Sequence, residues 1–497
     1  MEQVIQEFRA YAEEMRMYMQ AMAIMSFDAN TVAPKAGVAA RGKRNAFFSK
    51  KMYAMVTGEK MKGFLDALEG KELDPITAGL YRVAKKNYDK NTKVPMQLVG
   101  EFSQLTAEAN VAWEKARKED DFEYFAPYLE KILAKSKEIV GYRVSEGQHP
   151  YNLLLDDFEE GMTMEIYDEF FAKLRATIVP LLKMITESGK KPEAEFMSAF
   201  VSKADQEKIS DFTAKMIGFR MEHGLITEST HPFCSGSHKT DVRMTTRYDE
   251  NDFASSFYSI LHESGHAIYE QNTADEIAET PLSRGVSTGL HESQSRFYEN
   301  MIGRSKEFWQ YITEELKTYL PDDFKNVTPE QFYRAVNQAQ PSLIRVEADE
   351  LTYSLHVMVR YEIERMLFND EITVRQLPEV WNKKFEEYLG VTPPNNTLGV
   401  LQDIHWSWGM FGYFPTYSLG SAYAAQFFAQ MQKDGLDVKG LIAKGDFAAI
   451  TAWLTDKLHR HGSIYPPAKL LKDICGEQLN ADYYTTYLKE KFEELYS

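Results

Sequence analysis

The chain is 497 residues long and sets 57 Lys and Arg against 74 Asp and Glu, a formal net charge of −17. That balance tells against nucleic acid and against an anionic membrane surface as partners, so any basic feature that meets an anionic substrate must be local. With 28 Gly and 18 Pro, both below average usage, long helices are expected, in two or three average domains or one large helical body with room for a deep cleft.

From Met1 to about Asp28, and again from Gln97 to Val140, charged and apolar residues alternate at three- and four-residue spacing, the pattern of amphipathic helices. Glu2, Glu7, Glu13 and Glu14 stand where a secretory signal would need an apolar run, and no stretch approaches the roughly 18 apolar residues of a membrane span. Cys234 and Cys475 cannot build a disulfide framework and suit a reducing compartment, so a cytoplasmic protein is expected. Candidate breaks at Ser188–Pro192, Val391–Thr397 and Gly462–Pro467 are each too brief to be a flexible linker.

The helical texture changes ahead of residue 250. Val242, Met244, Thr246 and Tyr248 alternate with Asp241, Arg243, Thr245 and Arg247, the period-2 pattern of a strand. Its polar face, with Asp241, Arg243 and Thr245, either borders a substrate cleft or belongs to an ordinary half-solvated edge strand. The pentapeptide His262-Glu263-Ser264-Gly265-His266 follows. Asn251 or Asp252 can cap a helix here, and Phe253, Phe257, Ile260, Leu261 and Ile268 recur at helical spacing to give it a buried side. On such a helix the two histidines are neighbours with Cβ atoms about 5–6 Å apart, close enough to share one metal ion. Glu263 beside that ion can take a proton from a water on the metal and pass it to a leaving amine, the chemistry of peptide hydrolysis. A core helix with two satisfied histidines is the competing reading, and a third ligand decides between them. Glu292, 26 residues after His266 and near the start of another apparent helix, fits that role. His291 competes with it, but adjacent helical residues point about 100° apart, so only one of the pair faces the metal.

Arg345 and Asp349 fall at i and i+4, so on a helix Asp349 would orient the guanidinium toward a cleft; a surface ion pair is the alternative. His405 and Trp406 lie amid Gly399, Gly409, Gly412 and Pro415, the composition of a loop that carries functional groups. His405, Tyr413 and Tyr417 can each donate a hydrogen bond to a tetrahedral intermediate, or serve as core rings with a satisfied polar tip.

Together these motifs resemble the M32, or carboxypeptidase Taq, family of metallocarboxypeptidases. Its marks are HPF, DxRxT, HExxH, HES(Q/M)SR, IRxxAD and GxxQDxHW. Here they stand in the same order at His231–Phe233, Asp241–Thr245, His262–His266, His291–Arg296, Ile344–Asp349 and Gly399–Trp406. The segment SFDANTVAPKAGVAARGKR resembles the family's WD segment, with Phe27 where Trp is usual. Covering roughly residues 25 to 420, the resemblance implies a mainly α, two-lobed helical metallopeptidase with a deep substrate groove and a small β-sheet next to the HExxH helix. Residues 1–497 would then form a single catalytic unit, usually paired as a homodimer. It also implies one zinc ion per chain, replaceable by cobalt, held by His262, His266 and Glu292, with Glu263 as general base. Arg243 and Arg345 would meet the C-terminal carboxylate of a short peptide substrate, with Asp241 and Asp349 beside them. His231, His405 and a tyrosine, Tyr417 in preference to Tyr413, would hold the scissile carbonyl and its oxyanion. An arginine fork suits a terminal carboxylate because it offers two parallel hydrogen bonds, a requirement an endopeptidase does not have. An oligopeptide endopeptidase with the same metal site, and a non-catalytic helical peptide-binding scaffold, are the rival readings. An intact Glu263 argues against the scaffold.

Overall fold

The computed structural model describes residues 1–497 and is built almost wholly of helices. The N-terminal periodicity becomes one helix, Glu2–Asn30. The stretch from Gln97 to Val140 becomes two, Met96–Glu119 and Phe122–Gly141, because Asp120 takes a left-handed conformation (φ 55°) and Asp121 caps the second helix by accepting from the Tyr124 amide. None of the helices is long and apolar enough to cross a membrane.

The chain forms two compact units, each assembled from three separate segments. The first comprises Met1–Asn91, Pro192–Val336 and Ala424–Gln478. One of its cores gathers Phe8, Tyr11, Met15, Met61, Phe64 and Leu65 from the N-terminal helices around Ile277 and Leu282. Side chains of this size each contribute roughly 1.5–3 kcal/mol when fully buried. The second unit comprises Thr92–Lys191, Asn337–Tyr423 and Leu479–Ser497. An aromatic layer of Tyr151, Tyr167, Phe171, Tyr361 and Phe368 runs through it, with ring centroids 5.0–6.2 Å apart. The C-terminal helix Asp482–Tyr496 fastens the irregular segment that carries Arg345. Tyr496 Oη accepts from the Ala339 amide at 2.8 Å, and buried Lys491 pairs with Glu350 at 2.5 Å.

Of the predicted breaks, only Ser188–Pro192 coincides with a passage between units; Val391–Thr397 lies inside the second unit and Gly462–Pro467 inside the first. The passage at Tyr423 and Ala424 lies within the regular helix Pro415–Lys433, where no change of composition marks it.

The sheet belongs to the first unit and has three strands, β1 (Gly224–Glu228), β2 (Cys234–His238) and β3 (Asp241–Thr246), in the order β1-β3-β2. β3 pairs parallel with β1 and antiparallel with β2, so it is the central strand, not an edge. Val242 and Met244 are fully buried as the alternation requires, but Thr245 of the polar face is buried too. Its hydroxyl lies 2.6 Å from Ser229 Oγ and accepts from the Phe233 amide, so the polar face of β3 is consumed at that position by the loop after β1.

Candidate functional site

The pentapeptide lies on the helix Phe253–Gln271, capped by Asp252 and not by Asn251: the Asp252 carboxylate accepts from the Ser255 amide at 3.2 Å. Phe253, Phe257, Ile260, Leu261 and Ile268 are 0–1% exposed, which fixes the rotation of the helix and turns His262 and His266 to its other side. Their ring centroids are 5.0 Å apart. A second helix, Thr288–Arg296, is capped by Ser287 and crosses the first at Gly265. A Cβ on Gly265 would stand 2.3 Å from the carbonyl oxygen of Gln294 and 2.7 Å from Ser295 Cα, so only glycine allows this approach. The close crossing brings Glu292 Oε2 to 3.4 Å from His266 Nε2 and 3.7 Å from His262 Nε2. Ligand atoms of His262, His266 and Glu292 all lie within 4.8 Å of one another. His291 does not join them. Its Nε2 lies 3.1 Å from Glu270 Oε1, and its ring stacks on that of His266 at 4.3 Å.

Beyond Arg296 the second helix widens into a π-helix, Phe297–Ile302, which carries Glu299 back toward the histidines. Glu299 Oε2 is 2.8 Å from His262 Nδ1. That contact fixes the imidazole with Nδ1 protonated and leaves Nε2 as the free ligand atom, the usual companion of a metal-binding histidine. Arg296 donates to Glu292 at 2.9 Å and to Glu299 at 3.1 Å, and Arg304 lies 3.7 Å from Glu299. Burial alone would raise both carboxyl groups, but Arg296 and the histidines outweigh it, holding Glu292 well below the usual range and Glu299 at about 2. Burial lowers His262, yet Glu292 and Glu299 more than reverse it and push the imidazole up to about 9. His266 goes the other way, to about 4, through burial and the neighbouring His291. Glu263 is 6% exposed, and burial lifts its carboxyl to about 7. Two imidazole nitrogens and a carboxylate oxygen, with a second carboxyl group adjoining, make a donor set that fits a tetrahedral divalent cation with one open position.

In the same unit, Arg243 on β3 is held by Asp241 through two parallel hydrogen bonds of 2.7 and 2.8 Å. Its guanidinium lies 5.4 Å from the centre of the Phe27 ring, which packs edge-on against Phe233. The position where the WD segment usually has Trp therefore supports this arginine. His231 is exposed on the loop between β1 and β2, and only its carbonyl is engaged, by Ser229 Oγ.

The second unit holds the remaining candidates. Arg345 and Asp349 do not pair. Residues 345–347 form a single 3₁₀ turn, Ala348 is extended, and the helical spacing is lost. Asp349 instead accepts from the amides of Gln340, Leu351 and Thr352 and from the Thr352 hydroxyl, all at 2.9–3.0 Å. The partner of Arg345 is Asp403, whose Oδ1 accepts from Nε at 3.1 Å and from Nη2 at 2.8 Å. Arg345 also donates to Tyr353 Oη at 3.0 Å, and its backbone amide donates to Gln402. Two residues on, His405 opens a 3₁₀ turn and stacks on Tyr413 at 5.5 Å; burial pushes its imidazole down to about 4. Tyr417 lies not in a loop but in the first turn of the helix Pro415–Lys433. Its hydroxyl is 3.5 Å from His405 Nε2, and its ring lies 4.8 Å from the Arg345 guanidinium.

Sequence reasoning missed Glu299, Asp403 and the role of Gly265. Glu299 stands seven residues after Glu292, two helical turns on, and that spacing was a usable signal. Asp403 lay inside a motif already singled out.

A helical protein in which two crossing helices bring together a pair of histidines and a glutamate, beside a buried second glutamate, is by fold and donor set a metallopeptidase of the HExxH kind. The profile of the Carboxypeptidase Taq (M32) metallopeptidase family matches residues 7–492. The chain is 41% identical over 492 residues to Carboxypeptidase 1 of Bacillus subtilis, covering 99% of this chain and 98% of that one. Thermostable carboxypeptidase 1 of Pyrococcus furiosus is 38% identical over 475 residues, 95% of each chain. The crystal structure of the M32 carboxypeptidase from Deinococcus radiodurans superposes with a TM-score of 0.95 at 34% identity, covering 99% of both chains. The chain belongs to the carboxypeptidase Taq (M32) family and is a metallocarboxypeptidase, a peptide-bond hydrolase that uses a divalent metal.

Proposed function

We propose that the whole chain is one catalytic unit that removes single C-terminal residues from short peptides with one zinc ion held by His262, His266 and Glu292. The observation that carries this reading is the convergence of those three ligand atoms within 4.8 Å. Two imidazoles and a carboxylate suit zinc, and cobalt shares its geometry closely enough to replace it. When bound, the cation lowers the pKa of a water toward about 7 and polarises the scissile carbonyl.

The chain's own residues do the rest. Glu263 takes the proton from the attacking water and hands it to the leaving amine. Arg345 and Arg243 receive the substrate's α-carboxylate, with Asp403 and Asp241 orienting the respective guanidiniums. His405, neutral at pH 7, and Tyr417 hold the oxyanion, backed by Tyr413; His231 is assigned to the scissile carbonyl. The two free cysteines suit a cytoplasmic protein, and family likeness suggests a homodimer.

Elemental analysis and a paired assay test this. One zinc per chain is expected, and Glu263→Gln is expected to keep the metal while losing about 10²–10⁴ of kcat, the usual worth of a general base. Arg345→Gln is expected to raise KM on free-acid peptides. A Glu263→Gln enzyme as active as wild type would remove the catalytic assignment.

A further inference from the structure

Arg345 is not alone with Asp403. The helix Tyr353–Phe368 sends Arg360 to the other oxygen of the same carboxylate: Arg360 Nε donates to Asp403 Oδ2 at 2.7 Å. Arg360 also donates to Gln402 Oε1 at 2.7 Å and to the His356 carbonyl at 2.6 Å, and its guanidinium lies 4.6 Å from the Trp381 ring centre. Its side chain is 0% exposed, against 6% for Arg345 and 12% for Asp403. Two buried cations thus share one anion. The nearby imidazoles do not change the balance, because burial keeps both His405 and His356 neutral at pH 7. Glu364, one turn further along the helix, is hydrogen-bonded by Tyr151, Trp406 and the Gly412 amide; it feels Arg360 only through space, and burial holds its carboxyl up at about 7. The arrangement costs Arg360 proton affinity: burial and Arg345 pull its guanidinium down to about 10. Meanwhile Asp403 and Tyr353 take three of the five N–H donors of Arg345.

We infer that Arg360, which substrate cannot touch, is a specificity-determining positioning residue: it matches the charge of Asp403, so that Arg345 presents a whole uncompensated positive charge to the free α-carboxylate. Were Asp403 paired with Arg345 alone, the pair would be neutral, and a carboxylate arriving in this poorly solvated site would meet little net attraction. With Arg360 present, Asp403 can lock the Arg345 fork and the cluster still carries one excess charge, which a terminal carboxylate cancels and a terminal amide does not. This inference rests on Arg345 as the carboxylate-binding residue.

The test compares competitive inhibition by N-acetylphenylalanine and by its amide, using the metal-loaded enzyme and the ratio of the two inhibition constants as readout. Arg360→Gln, which leaves a neutral cluster, is expected to cut the preference for the acid at least about tenfold with metal content unchanged. Adding Asp403→Asn to it returns the cluster to one positive charge, and most of the lost preference is expected to come back. A merely structural role predicts the reverse, with the double variant worse than the single. Should Arg360→Gln fail to fold, Arg360→Lys serves: a preference within about threefold of wild type supports the charge role, and a tenfold loss overturns it. If Arg345→Gln leaves the ratio unchanged, the carboxylate reading of Arg345 fails as well; if Arg345→Gln abolishes it and Arg360→Gln does not, only the present inference fails.

Discussion

The cluster around Glu292 and the cluster around Asp403 are built in opposite senses. In the first, the carboxyl groups of Glu263, Glu292 and Glu299 outnumber the guanidiniums of Arg296 and Arg304, and the excess is met by a proton on His262, whose imidazole is held up at about 9; the proposed metal ion would displace it. In the second, one carboxylate is divided between two arginines and leaves a basic excess that an anion completes. The difference teaches that a buried charged network need not be self-sufficient: on the proposed function the first borrows a proton that the metal replaces, and the second stops one charge short, the charge the substrate's carboxylate would supply. Unpaired buried charge is costly, so the deficit of the second is also a binding energy held in reserve.

The largest break in this comparison comes from emptying the acidic side. Glu292→Ala or His266→Ala is expected to lose the metal and to drop activity more than about 10³-fold, measured by elemental analysis and peptide hydrolysis. Full metal occupancy after Glu292→Ala would place the third ligand elsewhere. Because Glu292 and Glu299 push His262 up to about 9, a cation entering at Nε2 displaces a proton. Metal affinity is therefore expected to weaken steadily as pH falls below about 9, and a chelator titration at several pH values reads this directly.

A smaller break separates binding the cation from aiming its ligand. Glu299→Gln retains a hydrogen-bond partner for His262 Nδ1 but removes the charge, and is expected to weaken metal affinity about 10–100-fold without unfolding the first unit. An unchanged affinity would mean that the π-helix serves packing alone.

How far each cluster could be read from the sequence follows from how it is built. His262, Glu263 and His266 share one helix with a clear buried side, so helical periodicity places them together; Glu292 comes from a separate helix and is picked out by its motif, not by periodicity. The basic cluster is put together by pairings that skip along the chain, Arg345 with Asp403 58 residues away and Arg360 with Asp403 43 away, and no periodicity encodes such contacts. Asp349 was the nearest carboxylate in sequence and the wrong one, because the turn at Arg345–Glu347 breaks the helix on which that pairing depends. β3 shows the same limit: its alternation was readable, but its central place was not, since β1 and β2 recruit it through backbone hydrogen bonds that any side chain permits. The helical body was readable throughout; its division into two interleaved units was not, because one passage runs through an unbroken helix.

Within the second unit the helix Tyr353–Phe368 offers a finer contrast. Asp403, between two arginines, is held far below the usual carboxylate range, whereas burial lifts Glu364 to about 7 from an ordinary 4.5, despite three donors. A raised folded value means that the folded chain grips the proton more tightly than the unfolded chain. Its contribution to stability is thus complete below pH 4.5 and is lost as pH rises to about 7. On the order of 3 kcal/mol is at stake. Relative to Glu364→Gln, wild type is expected to lose melting temperature across that window; parallel curves for the two proteins would sink the assignment.

The smallest effect is expected at Asp349, and it is the sharpest check on which carboxylate serves Arg345. Asp349 meets four donors, three of them backbone amides and none a cation, so its work is to hold the turn between Gln340 and Thr352. Burial pushes its carboxyl up, the reverse of what an arginine partner would do. Asn keeps one acceptor oxygen and loses the other, which costs about 1–2 kcal/mol of stability. It removes no hydrogen-bond partner from Arg345, whose carboxylate is Asp403. Asp349→Asn should therefore lower the melting temperature by a few degrees while leaving the preference for free acid over amide within about threefold of wild type. If that preference collapses instead, Asp349 and not Asp403 orients Arg345 in solution, and the charge count of the basic cluster has to be drawn again around it.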